Sequence, residues 1–168
     1  MNYPHIENPH IIDALTGEQV PVRIIQLSTD RAVTRYNKKN GWHFQWVKEF
    51  YDGYDIYAVQ LAASPYTIQG LLALKPDPDS VAVEMKLVGI GPNNYKRVGQ
   101  YYKGIGRLLF AKACEMSFEY EFEGYVYLVA KTNLIGYYRE AFHAELIGVD
   151  RKMLIDTDAA IFILENYA

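Results

Sequence analysis

Alternating and continuous apolar positions in the first half of the chain predict four β-strands. They cover residues 20–28, 54–63, 66–75 and 80–92. Turn signals at Ser64-Pro65 and in the segment PDPDS separate the last three strands, which is typical of an antiparallel meander. Between the first strand and the meander, Trp42, Trp46 and Phe50 lie four residues apart, and this spacing predicts a helix within residues 34–52, broken upstream by Asn40-Gly41.

The second half of the chain predicts a long helix, a buried strand, a short helix and two final strands. The long helix runs from Gly106 to Gly124, where a glycine is typical of a C-terminal cap. One face is expected to bury Leu109, Ala113, Met116 and Tyr120, and another carries an acidic stripe of Glu115, Glu119 and Glu123. The strand covers residues 125–131, the short helix 133–142, and the last strands KMLID and AAIFILE. The predicted fold class is mixed α/β (α+β), built on one central sheet.

A loop of about a dozen residues, NNYKRVGQYYKG, ends in two glycines at the start of the long helix. It does not match a P-loop, because Ile105-Gly106 follows Gly104, and Leu109 stands where a dinucleotide fingerprint needs a small residue. The first N–H groups of a helix can nevertheless hold a pyrophosphate, and Lys103 and Arg107 could add charged contacts. An ordinary glycine turn with two solvated cations is the alternative.

Composition narrows the class of protein. A chain of 168 residues that is 50% hydrophobic predicts a single domain, with residues 1–19 as an N-terminal extension. The net charge of −3 argues against a nucleic-acid partner. Neither the lone Cys114 nor the four scattered histidines have metal-ligand spacing. Cys114 lies among apolar residues of the predicted helix and is expected to be a small buried side chain. No signal or membrane pattern is seen, which favours a cytoplasmic protein without a membrane partner.

The segment YYKGIGRLLFAKACE after a meander resembles the acyl-CoA-binding motif of the GNAT superfamily of N-acyltransferases. Gly104 and Gly106 match the glycines of the motif, and Tyr101 stands where Gln or Arg is usual. Downstream, YVYLVAKTNLIGYYREAFHAELIG is similar to the strand, asparagine and short-helix block of the family. Ile90-Gly91-Pro92 resembles the Val-x-Pro that closes the strand before the loop. The resemblance covers about residues 68–149.

The chain departs from the family pattern at three places. The loop before Gly104 is about six residues longer than the common spacing, which suggests a decorated or gated phosphate loop. The interval from Asn133 to Tyr138 is two residues shorter than usual. His143-Ala144 replaces the Gly-Phe or Gly-Ala that typically follows the short helix.

The resemblance implies a GNAT-like sheet with splayed central strands and flanking helices. It also implies an N-acetyltransferase that moves an acetyl group directly from acetyl-CoA to a primary amine, without a metal. The cofactor-binding residues that it implies are Val88, Gly89, Ile90, Lys103, Gly104, Ile105, Gly106, Arg107 and Asn133. Gly89 would ease a distortion of its strand, where backbone N–H groups meet the developing oxyanion. Members of the family often pair through their sheets or C-terminal strands, so the resemblance also allows a homodimer.

The acid and the base of the reaction have named candidates. The family often uses a tyrosine of the short helix as acid, which favours Tyr138 with Tyr137 as the alternative. Glu84 lies six residues before Ile90, where some members carry a glutamate base; the alternative is a solvent-facing glutamate paired with Lys86.

The aromatic set Trp42, Trp46, Phe50 and Tyr51 falls where the family builds an acceptor wall; the alternative is that these side chains pack in the core. The alternative function is a non-catalytic acyl-CoA-binding or protein-interaction module on the same fold. Acylation of charged tRNA, as in toxins of the family, would need a basic surface, and the acidic balance argues against it.

Overall fold

The computed structural model of the protein describes residues 2–96 and 99–167. The described strands are β1 (His10–Asp13), β2 (Gln19–Leu27), β3 (Asp55–Leu61), β4 (Ile68–Asp77), β5 (Ala82–Ile90), β6 (Tyr102–Lys103), β7 (Val126–Val129), β8 (Glu145–Leu146) and β9 (Lys152–Ile155). The helices are α1 (Asp30–Thr34), α2 (Trp46–Tyr51), α3 (Ile105–Glu119), α4 (Ile135–Phe142) and α5 (Thr157–Glu165).

These strands form one mixed sheet in the order β6-β1-β2-β3-β4-β5-β7-β9-β8. The meander β3-β4-β5 is present as predicted, and β3 pairs antiparallel with both β2 and β4. β5 pairs parallel with β7 at two positions, Val83 with Val126 and Glu84 with Tyr127, whereas β5 itself continues to Ile90. The predicted mixed α/β class is therefore confirmed.

The chain divides into two compact units. Unit 1 comprises the chain up to Ile6, Lys75–Lys86 and Phe110–Tyr167, and unit 2 comprises Glu7–Leu74 and Leu87–Leu109. Within unit 2, β1 lies inside the predicted N-terminal extension and pairs with β2 and β6. That part of the chain is thus a component of the sheet.

The aromatic segment of unit 2 is broken at Gly41, as predicted, but its helix is shorter than the aromatic spacing predicted. The Asn37 side chain accepts a hydrogen bond from the Asn40 N–H and forms a 3-10 turn, which Gly41 ends at a φ of 92°. Trp42 therefore precedes α2, and Trp46 begins it. Both indoles are buried, with 7% and 0% of their surface exposed, in a core with Ile56, Leu71 and Ala73. Core packing accounts for their burial.

The segment AAIFILE of unit 1 is a helix, so the prediction of a final strand there was wrong. The Asp156 carboxylate caps α5 by accepting a hydrogen bond of 2.9 Å from the Ala159 N–H. Ala159, Ala160, Ile163 and Leu164 are the buried positions. Their spacing follows one helix face, which a continuous apolar run conceals from a pattern analysis.

Two features predicted for the long helix also need correction. α3 ends at Glu119, so Gly124 is not its cap; Gly124 has a φ of 86°, and an added Cβ would lie 2.8 Å from Ala160. Tyr120, expected on the buried face, follows the helix and is 37% exposed, whereas Glu115 of the acidic stripe is only 8% exposed. Its carboxylate accepts hydrogen bonds from the Ile6 N–H at 2.7 Å and from Lys112 Nζ at 3.3 Å.

Glu115→Ala is expected to lower the free energy of unfolding by about 1–3 kcal/mol, because it leaves the Ile6 N–H and the Lys112 ammonium without this acceptor. Urea unfolding of the variant measures the loss. Glu119→Ala is the matched control, since Glu119 is exposed on the same helix, and its effect should stay within about 0.5 kcal/mol. Equal losses in both variants would contradict a special role for Glu115.

Cys114 is fully buried in unit 1, as predicted, and burial raises the pKa of its thiol. Among the described residues, no three His, Cys, Asp or Glu side chains are grouped so that they could hold a metal ion. No helix in the described part of the chain has both the length and the apolar character needed to cross a membrane.

Candidate functional site

The glycine turn (residues 103–107) joins β6 to α3 in unit 2. Gly104 has a φ of 84°, in the left-handed region that favours glycine, and its carbonyl accepts the first helical hydrogen bond from the Leu108 N–H. The N–H groups that begin α3 therefore have no acceptor within the helix. A Cβ added to Gly106 would meet nothing within 4 Å, and Lys103 and Arg107 are exposed. The turn can thus present N–H groups and two cations to an anion.

Close packing with β4 fixes where α3 begins. A Cβ on Gly70 would lie 2.5 Å from Ile105 Cγ2 and 3.2 Å from the Gly89 carbonyl oxygen. The first residue of α3 and the end of β5 therefore approach the same point of β4. Only a residue without a side chain leaves room for both.

The long loop before the turn is structured where it is described. It contains a 3-10 turn, Pro92–Asn94, and the short strand β6. Tyr95 is buried, stacks on His43 and donates a hydrogen bond of 3.0 Å to the Gly41 carbonyl. Arg97 and Val98 of the predicted loop lie outside the described residues.

Beside β6 lies a shallow cavity of about 380 Å³. Its lining residues are Asp13, Ala14, Leu15, Gly99, Gln100, Tyr101 and Tyr102. The Asp13 carboxylate accepts hydrogen bonds from the Thr16 and Leu15 N–H groups, which lower its pKa. Tyr101, which replaces the usual Gln or Arg of the motif, lines this cavity.

The end of β5 carries the three residues assigned to the thioester, Val88, Gly89 and Ile90, and all three are half-buried. A Cβ on Gly89 would lie 2.8 Å from Trp46 Cζ2. Close approach of the indole ring is therefore a reason for glycine at this position that the sequence did not reveal. Trp46 forms a wall against β5 as well as part of the core.

Gly89→Ala is expected to destabilise the protein by about 1–3 kcal/mol, because the new methyl group would overlap the buried Trp46 ring. The free energy of unfolding in urea measures this loss. Trp46→Phe removes the overlapping atoms, so Gly89→Ala should cost less stability in the Trp46→Phe protein than in the wild type. If Gly89→Ala costs the same in both proteins, Gly89 is needed for its backbone conformation, as the sequence suggested.

The tyrosine pair lies on α4 in unit 1. Tyr138 is half-buried, with its ring centroid 5.4 Å from that of Phe110, and burial together with the neighbouring Tyr137 raises the pKa of its hydroxyl. Tyr137 is 51% exposed. α4 ends at His143, whose φ of 54° is the left-handed conformation usually taken by glycine; its ring stacks on Phe162 at 3.9 Å. Asn133 is exposed in a preceding 3-10 turn.

Glu84 lies in the paired part of β5 in unit 1, directly opposite Tyr127 of β7. It is half-buried, whereas Lys86 is exposed. The Tyr127 hydroxyl donates a hydrogen bond of 2.5 Å to Asp77, and Lys152 Nζ lies 4.3 Å from the centre of its ring. No local pattern predicts the contacts among Asp77, Tyr127 and Lys152, because these residues lie on three different strands.

No protein-family model matches the sequence, and no curated protein matches it significantly. Solved structures do match. A mutant of the AtaT toxin bound to the C-terminus of the antitoxin AtaR and acetyl-CoA is 14% identical, with a TM-score of 0.58 over 86% of this chain and 99% of that one. AtaT complexed with acetyl-methionyl-tRNAfMet is 14% identical, with a TM-score of 0.56 over 82% and 96%.

A third similar structure is the spermidine N-acetyltransferase SpeG from Vibrio cholerae. It is 18% identical, with a TM-score of 0.55 over 83% of this chain and 96% of that one. Identities this low establish the fold and leave the activity to be argued from the site. The resemblance found in the sequence is confirmed at that level: the chain has the fold of the GNAT superfamily of N-acetyltransferases.

Proposed function

We propose that this protein is an N-acetyltransferase that transfers an acetyl group directly from acetyl-CoA to a primary amine. The observation that carries the proposal is the glycine turn, which opens α3 with a left-handed Gly104 and free space over Gly106. A pyrophosphate fits such a turn because it can accept hydrogen bonds from the free N–H groups. The fold, shared with acetyl-CoA-bound structures, supports the same cofactor.

The cofactor would extend from the turn to the end of β5. Its phosphates would accept from the N–H groups of Ile105 and Gly106, with Lys103 and Arg107 as charged partners. Its thioester would lie at residues 88–90, whose approach to α3 at Gly70 keeps the two ends of this path close together. Asn133 would contact the pantetheine.

The reaction forms a C–N bond as the C–S bond of the thioester breaks. Glu84 would accept the proton of the attacking amine, and Tyr138 would donate its hydroxyl proton to the departing thiolate. The raised pKa of Tyr138 keeps that proton in place throughout the neutral range. Direct transfer is favoured over a covalent intermediate because the thiol of Cys114 is fully buried and its pKa is raised.

The acceptor is proposed to be a primary amine of a small molecule or a protein. SpeG is a spermidine acetyltransferase, and AtaT has been seen with an acetylated aminoacyl-tRNA, so both kinds of amine belong in a test. The net charge of −3 favours a cationic small amine over a polyanion by long-range electrostatics.

Calorimetric titration with acetyl-CoA, followed by a thiol-release assay with polyamines, peptides and aminoacyl-tRNA, tests the proposal. Saturable binding and release of CoA with one amine class would support it. Binding without turnover of any amine would favour a non-catalytic acyl-CoA-binding module. If the folded protein binds no acetyl-CoA, the glycine turn serves only the fold.

A further inference from the structure

The strand β4 contains a β-bulge at Gln69. Val59 of β3 pairs with Gly70 and the next residue, Gln60, pairs with Ile68, so Gln69 is an extra residue on β4. A bulge redirects the side chain of the extra residue out of the regular alternation of the strand. Gln69 is fully buried, and its side chain reaches the 3-10 turn that begins the long loop.

A chain of hydrogen bonds runs from this bulge to the glycine turn. Asn94 Nδ2 donates to Gln69 Oε1 at 2.9 Å and to the Gln69 carbonyl at 3.3 Å. Asn94 Oδ1 in turn accepts from the Tyr102 N–H at 2.9 Å. Asn94 is also fully buried. The residue that precedes Lys103 is therefore tied to β4 through two buried amides, and buried polar chains of this kind are rigid.

The other end of the turn is tied to the neighbouring position of β4, where Gly70 receives the side chain of Ile105. Two adjacent residues of one strand thus fix both sides of Lys103-Gly104. The Gln69 Nε2 has no hydrogen-bond partner among the described residues, and leaving a buried donor unpaired opposes folding. Gln69 therefore leaves this one buried donor unpaired within the described part of the chain while its Oε1 holds the buried Asn94 amide, and this bond is the reason we infer for a glutamine here.

We propose that Gln69 and Asn94 are positioning residues that hold the glycine turn in its phosphate-binding conformation before the cofactor arrives. This inference rests on the proposed function. A preformed turn loses less conformational freedom on binding, which raises affinity for the phosphates without any direct contact to them. The inference also gives the extra loop residues a role, because Asn94 belongs to the segment that exceeds the common family spacing.

Asn94→Leu tests the proposal, with Asn93→Leu as the matched control. Asn93 is the adjacent asparagine and also donates to Gln69 Oε1, at 3.4 Å, but its side chain has no bond to Tyr102 in the structure. Binding of acetyl-CoA is compared with binding of S-acetylpantetheine, which carries the thioester but no phosphate. We expect Asn94→Leu to weaken acetyl-CoA binding about 10- to 100-fold and S-acetylpantetheine binding not at all. Asn93→Leu should leave both affinities close to wild type.

Equal affinity of the Asn94→Leu variant and the wild type for acetyl-CoA would overturn the proposal, as would an equal loss for both ligands. If the variant does not fold, Gln69→Met and amide exchange of the unmodified protein decide. The Tyr102 N–H should be protected before cofactor is added, and rapid exchange there would exclude a preformed turn. Failure of the wild type to bind acetyl-CoA would instead refute the proposed function itself.

Discussion

Tyr138→Phe is expected to lower kcat for acetyl transfer by about 100-fold or more, while the Kd for acetyl-CoA stays within about twofold. The change removes only a hydroxyl, and the ring remains packed on Phe110 and Phe142. The thiolate would then leave without a proton donor, so the rate falls although the cofactor still binds. Steady-state kinetics and calorimetry on the same preparation measure the two quantities.

Tyr137→Phe is the matched control for this experiment. Tyr137 precedes Tyr138 on α4 and points about 100° away, and its side chain is largely exposed. Its removal should leave kcat nearly unchanged. A large loss in Tyr137→Phe with none in Tyr138→Phe would transfer the acid role to Tyr137, and no loss in either would assign the proton transfer to water.

Gly106→Glu is expected to abolish acetyl-CoA binding in a protein that is at least as stable as the wild type. The carboxylate would lie in the open space over the first turn of α3, and like-charge repulsion of several kcal/mol corresponds to a loss of more than about 100-fold in affinity. Replacing a helical glycine and placing an acid near a helix N-terminus both favour folding, by about 0.5–1 kcal/mol in total. Calorimetric titration and thermal unfolding separate the two effects.

The same substitution at Gly136 provides a control. Gly136 is the second residue of α4, as Gly106 is of α3, and an added Cβ there also meets nothing within 4 Å. Gly136→Glu should therefore gain similar stability and keep its affinity for acetyl-CoA. If Gly106→Glu binds acetyl-CoA as tightly as the wild type does, the phosphates do not lie at the glycine turn.

The strands were predictable because each one is a local pattern bounded by turn residues. The meander from β3 to β5 and the strand β7 appear close to their expected limits. The helix α5 was missed because AAIFILE is apolar throughout, so no alternation distinguishes helix from strand. The Asp156 side chain caps this segment and so favours the helix over a strand.

The candidate site also contains parts that a local pattern predicts and parts that only the structure reveals. The glycine turn could be found because two glycines and two cations lie within five consecutive residues. Gln69 and Asn94 could not, since they are 25 residues apart and meet only because a bulge shifts the register of β4. The burial of Glu115 likewise depends on Ile6, which is 109 residues away in the chain. Local patterns predict turns and strands, whereas hydrogen bonds between residues far apart in the sequence can be found only once the fold is known.

The sheet ends on both sides in strands of two residues, β6 and β8. A long exposed edge offers a row of unpaired N–H and C=O groups to which another chain can add a strand, and this is a common route to aggregation. Edges as short as these offer few such groups. The two ends of the sheet therefore offer little backbone for the addition of a strand from another chain.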